Sequence, residues 1–112
     1  MAYDEELAHR IREVVQGVDA VTEMRMFGGI AFLINGNMAV AASGQGGLML
    51  RVDPVESEAM LDDAHARRVV MRGREMDGWL RIDPDGLATD RQLRVWVGHG
   101  VAYARSLPPK RK

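Results

Sequence analysis

Apolar residues return at helical spacing at the start of the chain. Tyr3, Leu7, Ile11, Val14, Val15 and Val18 form one stripe, the mark of an amphipathic helix. Asp4 is placed to cap it, acids fill its first turn and Gly17 can end it, so a helix is predicted over about residues 4–16. The period then shortens. In "VTEMRMF", Thr22, Met24 and Met26 alternate with Glu23 and Arg25, as on a strand with two unlike faces. "IAFLI" is apolar throughout, "NGN" (Asn35, Gly36, Asn37) suits the positive φ of a tight hairpin, and "MAVAAS" returns from it. "GQGG" turns again and "LMLRV" is a further strand. These runs predict an antiparallel meander.

"DPVESEAMLDD" starts a short helix that reaches about residue 62. Asp53 is its N-cap, Pro54 its first residue, and Glu56 completes a capping box. "RRVVMRGREM" and "GWLRI" predict two more strands around Asp77 and Gly78, and Asp83 to Gly86 a turn. The last element is the clearest. Thr89 and Gln92 form a capping box, and Leu93, Trp96, Val97, Gly100, Ala104 and Leu107 share one face. Pro108 and Pro109 stop it. Trp79 and Trp96 are expected to meet in the core. The predicted order is α-β-β-β-α-β-β-α, an α+β fold with an antiparallel sheet packed with helices. It forms a single domain over residues 1–107, followed by a basic tail, 108–112, expected to be disordered.

The two central runs, "IAFLI" and "MAVAA", are apolar on both faces. Helices on one side of such a sheet leave the other side apolar and wet. Either helices cover both faces or a second chain covers one, so a homodimer is one expected partnership.

Composition narrows the chemistry. The 112 residues hold no cysteine, which removes disulfides, thiolate metal sites and cysteine nucleophiles. The N-terminus "MAYDEELAHR" has no apolar leader, and no apolar run reaches the ~18 residues of a membrane span. A cytoplasmic chain with no membrane partner is expected. Net charge is −1, whereas an autonomous nucleic-acid binder carries a basic excess.

Residues with catalytic or ligating potential do not assemble into a motif. His9, His65 and His99 stand at no ligand spacing. Asp83 to Gly86 lacks the glutamate a calcium loop needs, since Gln92 stands in its place. Ser43, Ser57 and Ser106 lie in no nucleophile elbow. No enzyme activity, metal or cofactor is expected. Gly28 and Gly29 interrupt the most apolar stretch, "RMFGGIAFLINGNMAV", but sit between two strands with no lysine after them. They read as a turn or a close backbone approach rather than a phosphate cradle.

One surface invites a partner. On a strand, Arg68, Arg72 and Arg74 share a face with Val70, and Arg67 and Arg81 can add to it. Such a row can hold phosphates or a partner's carboxylates. It reads first as a solvated face paired with Glu75, Asp77 and Asp83.

"RMFGGIAFLINGNMAV", "GGLMLRVD", "MDGWLRID" and "LRVWVGHGVAYA", in that order, resemble the N-terminal domain of the TfoX/Sxy family, from about Val14 to Ala104. The signature is Met26, Phe27, Gly28 and Gly29, followed by Gly78 and Trp79 and by Trp96 and Val97. The resemblance implies an α+β fold with a central antiparallel sheet. It also implies a role in transcription regulation through a protein partner, since the family's competence regulators act with the cyclic-AMP receptor protein. Those regulators carry a second domain, whereas this chain ends at Lys112 after one. The family carries no catalytic residues to transfer.

Overall fold

The computed structural model describes residues 4–26, 28–44 and 46–109. Tyr3 and Phe27, named above, and residues 110–112 of the basic tail lie outside the described residues. The elements run α1 (Glu5–Val14), β1 (Val21–Met26), β2 (Gly29–Ile34), β3 (Asn37–Ala42), β4 (Leu48–Arg51), α2 (Pro54–Met60), β5 (Ala66–Met71), β6 (Arg74–Ile82) and α3 (Asp90–Ser106), with a 3-10 turn at Pro84–Leu87 before α3. The strands form one antiparallel sheet in the order β1-β2-β3-β4-β6-β5. The α+β class and the alternation of strand and helix blocks are as expected. The first block holds four strands, one more than the written order counts, because "LMLRV" closes the meander as β4.

Local chemistry sets the element ends. The Asp4 carboxylate accepts the N–H groups of Glu6 and Leu7 and opens α1. The capping box of α3 forms, with the Gln92 N–H donating to Thr89 Oγ1 (3.1 Å) and the Thr89 N–H to Gln92 Oε1 (3.0 Å). At α2 the expected box is a simple cap. Asp53 accepts only from the Val55 N–H (2.8 Å), and Glu56 returns no bond. At the β2–β3 hairpin Asn35 and Gly36 both take positive φ, 53° and 83°, as a two-residue turn requires.

The β5–β6 hairpin corrects the sequence reading. The chain turns at Arg72 and Gly73, with φ of 53° and 78°, not at Asp77-Gly78. Gly78 instead lies inside β6 with φ 82°. Between the pairs Arg68↔Leu80 and Val69↔Met76, residues 77–79 have no counterpart on β5. Asp-Gly is a strong turn signal, but here the glycine's positive φ serves a bulge. The bulge carries the Gly78 carbonyl to the Val52 N–H (2.8 Å).

All three helices pack on one side. Leu7 and Ile11 of α1 and Leu93, Trp96 and Val97 of α3 form the main core with Phe32, Val40, Leu48, Leu50, Leu80 and Ile82. The tail also begins tied to the domain, since the Asn37 side-chain N–H donates to the Pro108 carbonyl (2.9 Å).

Candidate interaction surface

The other side of the sheet has a core of its own, built by strands alone. Ala31, Leu33, Met38, Ala41, Met49 and Val69 are buried there, and the half-buried Met26, Met71, Met76 and Trp79 pack against them. The expectation of a wet apolar face is therefore corrected: the chain buries most of this face without a second copy. Two register irregularities fall among these strands, and such bulges bend a strand and increase its twist. Ala39 is an extra residue of β3 between the pairs Phe32↔Val40 and Leu33↔Met38, and the bulge in β6 is the other. Its fully buried members include Ala31 and Ala41, and its half-buried ones are three methionines and one tryptophan, flexible side chains that fill irregular space.

The rim of this face is where exposure returns. Met24 is 50% exposed, and Met26, Met71, Met76 and Trp79 remain partly open. The Arg51 guanidinium lies 5.5 Å from the Trp79 ring centroid and 5.6 Å from that of Tyr103 on α3, a cation–π sandwich. Trp79 and Trp96 do not meet: Trp79 belongs to this face and Trp96 to the helix-side core. The glycine bulge before Trp79 is the reason, because it resets which way the following residues point. Arg51, Met71 and Met76 were not singled out from sequence. Alternation alone could place Arg51 opposite Trp79, but the bulge hides the link to Met76.

The glycines of the signature are structural. Gly28 takes φ 71°, so it supplies the reversal between β1 and β2. Gly29 supplies the close approach. A Cβ there would overlap the Ala42 carbonyl, 2.9 Å from its carbon, and stand 3.0 Å from the Gly44 nitrogen. A Cβ on Gly44 would in turn stand 2.7 Å from the Gly28 carbonyl carbon. The β1–β2 loop and the β3–β4 loop thus pack backbone against backbone. Met26 leads from this junction into the strand-built core.

The arginines do not form one row. Arg68 lies on the helix side, where Glu58 of α2 (3.1 Å), Glu75 (3.5 Å) and Asp77 (3.7 Å) surround its guanidinium. The hydrogen bond to Glu58 is the main reason its pKa is raised, against the effect of burial. Arg72 sits in the hairpin turn and Arg74 opens β6, both exposed. Arg67 and Arg81 are opposite each other across β5 and β6. Arg67 pairs with Asp83. Arg81 donates to Ser43 Oγ (3.0 Å) and to the Gly46 carbonyl (3.3 Å). Burial, then the neighbouring Arg67, lowers its pKa. It ties Ser43 and Gly46 to the sheet. The paired reading thus holds for Arg68 and Arg67, and a continuous cationic track does not form. A random DNA duplex is expected to show no anisotropy change at low or physiological salt; salt-sensitive binding weakened by Arg72→Ala would contradict this.

Among the described residues no group of three histidine, aspartate or glutamate side chains could hold a metal. A cleft of about 260 Å³ between α2 and α3 is lined by Asp53, Glu56, His99, Tyr103 and Ser106, smaller than most small-molecule sites. No described helix is long and apolar enough to cross a membrane.

A family model described as the TfoX N-terminal domain matches residues 13–104. No curated protein and no solved structure matches the chain.

Proposed function

The chain belongs to the TfoX N-terminal domain family, and on that premise we propose that it is a non-enzymatic binding domain acting through a protein partner in transcription regulation. Membership makes it a domain of competence-related, regulatory type. The observation that favours a protein partner is the composition of the helix-free rim. Met24, Met71, Met76 and Trp79 stand there with Arg51 stacked on the tryptophan. Methionine, tryptophan and arginine are the residues enriched at protein–protein interfaces, and flexible methionines adapt to a partner's relief. The dispersal and pairing of the arginines weigh against direct nucleic-acid recognition.

Crosslinked capture from the native cytosol tests the reading. Recovery of a transcription regulator or a polymerase component, lost with Trp79→Ser in a folded variant, is the expected result. Recovery of no partner, or capture indifferent to Trp79→Ser, would contradict it.

A further inference from the structure

The sheet ends in two edge strands, β1 and β5. We propose that two copies of this chain join through the free edge of β1, antiparallel about a two-fold axis centred on Met24, into one continuous sheet. It shares Met24 with the partner reading above, whose tests rest on Trp79 and Met76, so the two can fail separately. An unpaired edge offers a line of N–H and C=O groups and takes up another strand unless something blocks it. The β5 edge is blocked by charge. Arg67 and Arg68, each held by carboxylate partners, lie on it, and the exposed Arg72 and Arg74 follow at its turn, so charged side chains guard this edge. The β1 edge carries no proline or lysine and pairs with β2 in unbroken register from Val21↔Ile34 to Met26↔Gly29. Its middle residue, Met24, is a large apolar side chain left 50% exposed.

Charge fixes the register. A two-fold pairing of this kind keeps both helix layers on one side, so residues facing each other across the edge point the same way. Centred on Met24, it sets Glu23 opposite Arg25 of the second copy, twice over, and Thr22 opposite Met26. A shift to the neighbouring allowed centres sets Glu23 against Glu23, or Arg25 against Arg25, which is unfavourable. The chain already prepares one side of this contact. Arg12 of α1 donates to Glu23 through Nε (2.7 Å) and Nη2 (2.9 Å) and so orients the carboxylate. That hydrogen bond is also the main reason the Glu23 pKa lies below the ordinary carboxylate value. Arg25 is exposed and makes no ion pair among the described residues, leaving it available to the second copy. On the opposite side the two Met24 side chains meet and extend the methionine face. Six residues of edge make a small contact, so the dimer is reversible and concentration-dependent.

Sedimentation equilibrium over a concentration series tests this with wild type, Arg25→Glu, Glu23→Arg and an equal mixture of the two variants. Wild type is expected to show a monomer–dimer equilibrium. Each variant alone should dimerise about tenfold more weakly or worse. The mixture should recover dimer, because every glutamate then faces an arginine. Glu23→Arg also loses the Arg12 pair, so its fold is checked by circular dichroism; if it fails, Met24→Lys, which sets two lysines at the axis, replaces it and should weaken the dimer likewise. A chain that stays monomeric throughout, a dimer indifferent to Arg25→Glu, or folded variants whose mixture does not recover would each overturn the proposal.

Discussion

Gly29→Val lowers the stability of the domain by about 3 kcal/mol, a fall in Tm on the order of 15 °C. The cost comes from backbone, not from a side chain that can swing away. A Cβ at position 29 would overlap the Ala42 carbonyl group of β3, and neither strand can move without breaking the β2–β3 ladder, whose pairs Ile30↔Ala42 and Ala31↔Ala41 lie beside it. Gly28→Val costs less, about 1–2 kcal/mol. It forces a branched residue to φ 71°, but among the described residues its Cβ meets only the Gly44 Cα, at 3.6 Å. Urea unfolding of both variants checks the order as well as the size. If Gly29→Val unfolds like wild type yet abolishes partner capture, the glycine pair is a binding element and the structural reading fails.

The second large effect belongs to α3. Gly100→Leu is expected to cost about 3 kcal/mol, because it adds a side chain where the helix rests on the sheet. A Cβ on Gly100 would stand 2.5 Å from the Ala39 carbonyl oxygen and 2.8 Å from Val40 Cγ1. Ala39 is the extra residue of the β3 irregularity, so the bulge and the glycine fit one another. Gly98, two residues earlier and with no atom near its would-be Cβ, is the control. Gly98→Ala should be neutral or stabilising by up to ~1 kcal/mol, since alanine favours the helix. Thermal unfolding of the pair separates packing from propensity. Equal effects at the two positions would contradict this account of how α3 docks.

Much of the fold was legible because it rests on short-range signals. The Asp4 and Thr89 caps, the Asn35-Gly36 turn and the stripe Leu93, Trp96, Val97, Gly100, Ala104 each depend on neighbours within one or two turns of chain. What escaped rests on contacts between distant segments. Asp77-Gly78 carries the dipeptide of a turn, but the long-range bond from Val52 to the Gly78 carbonyl makes it a bulge, and the turn moves to Arg72-Gly73. That one displacement scattered the arginine row and sent Trp79 to the face opposite Trp96. The double-sided apolar character of "IAFLI" and "MAVAA" was plain from sequence. That methionines and Trp79 would pack over the helix-free side was not, because it depends on register shifts between distant strands.

Site-directed photocrosslinking is the most direct test of the proposed interaction face. One crosslinker replaces Met76, on the helix-free rim; a second replaces Val95, 51% exposed on α3. Both variants are activated in native cell extract and their adducts identified by mass spectrometry. The expected result is a transcription component joined through position 76 and absent from position 95. The same component joined through position 95 alone would place binding on the helix layer and contradict the assignment of the methionine–tryptophan face.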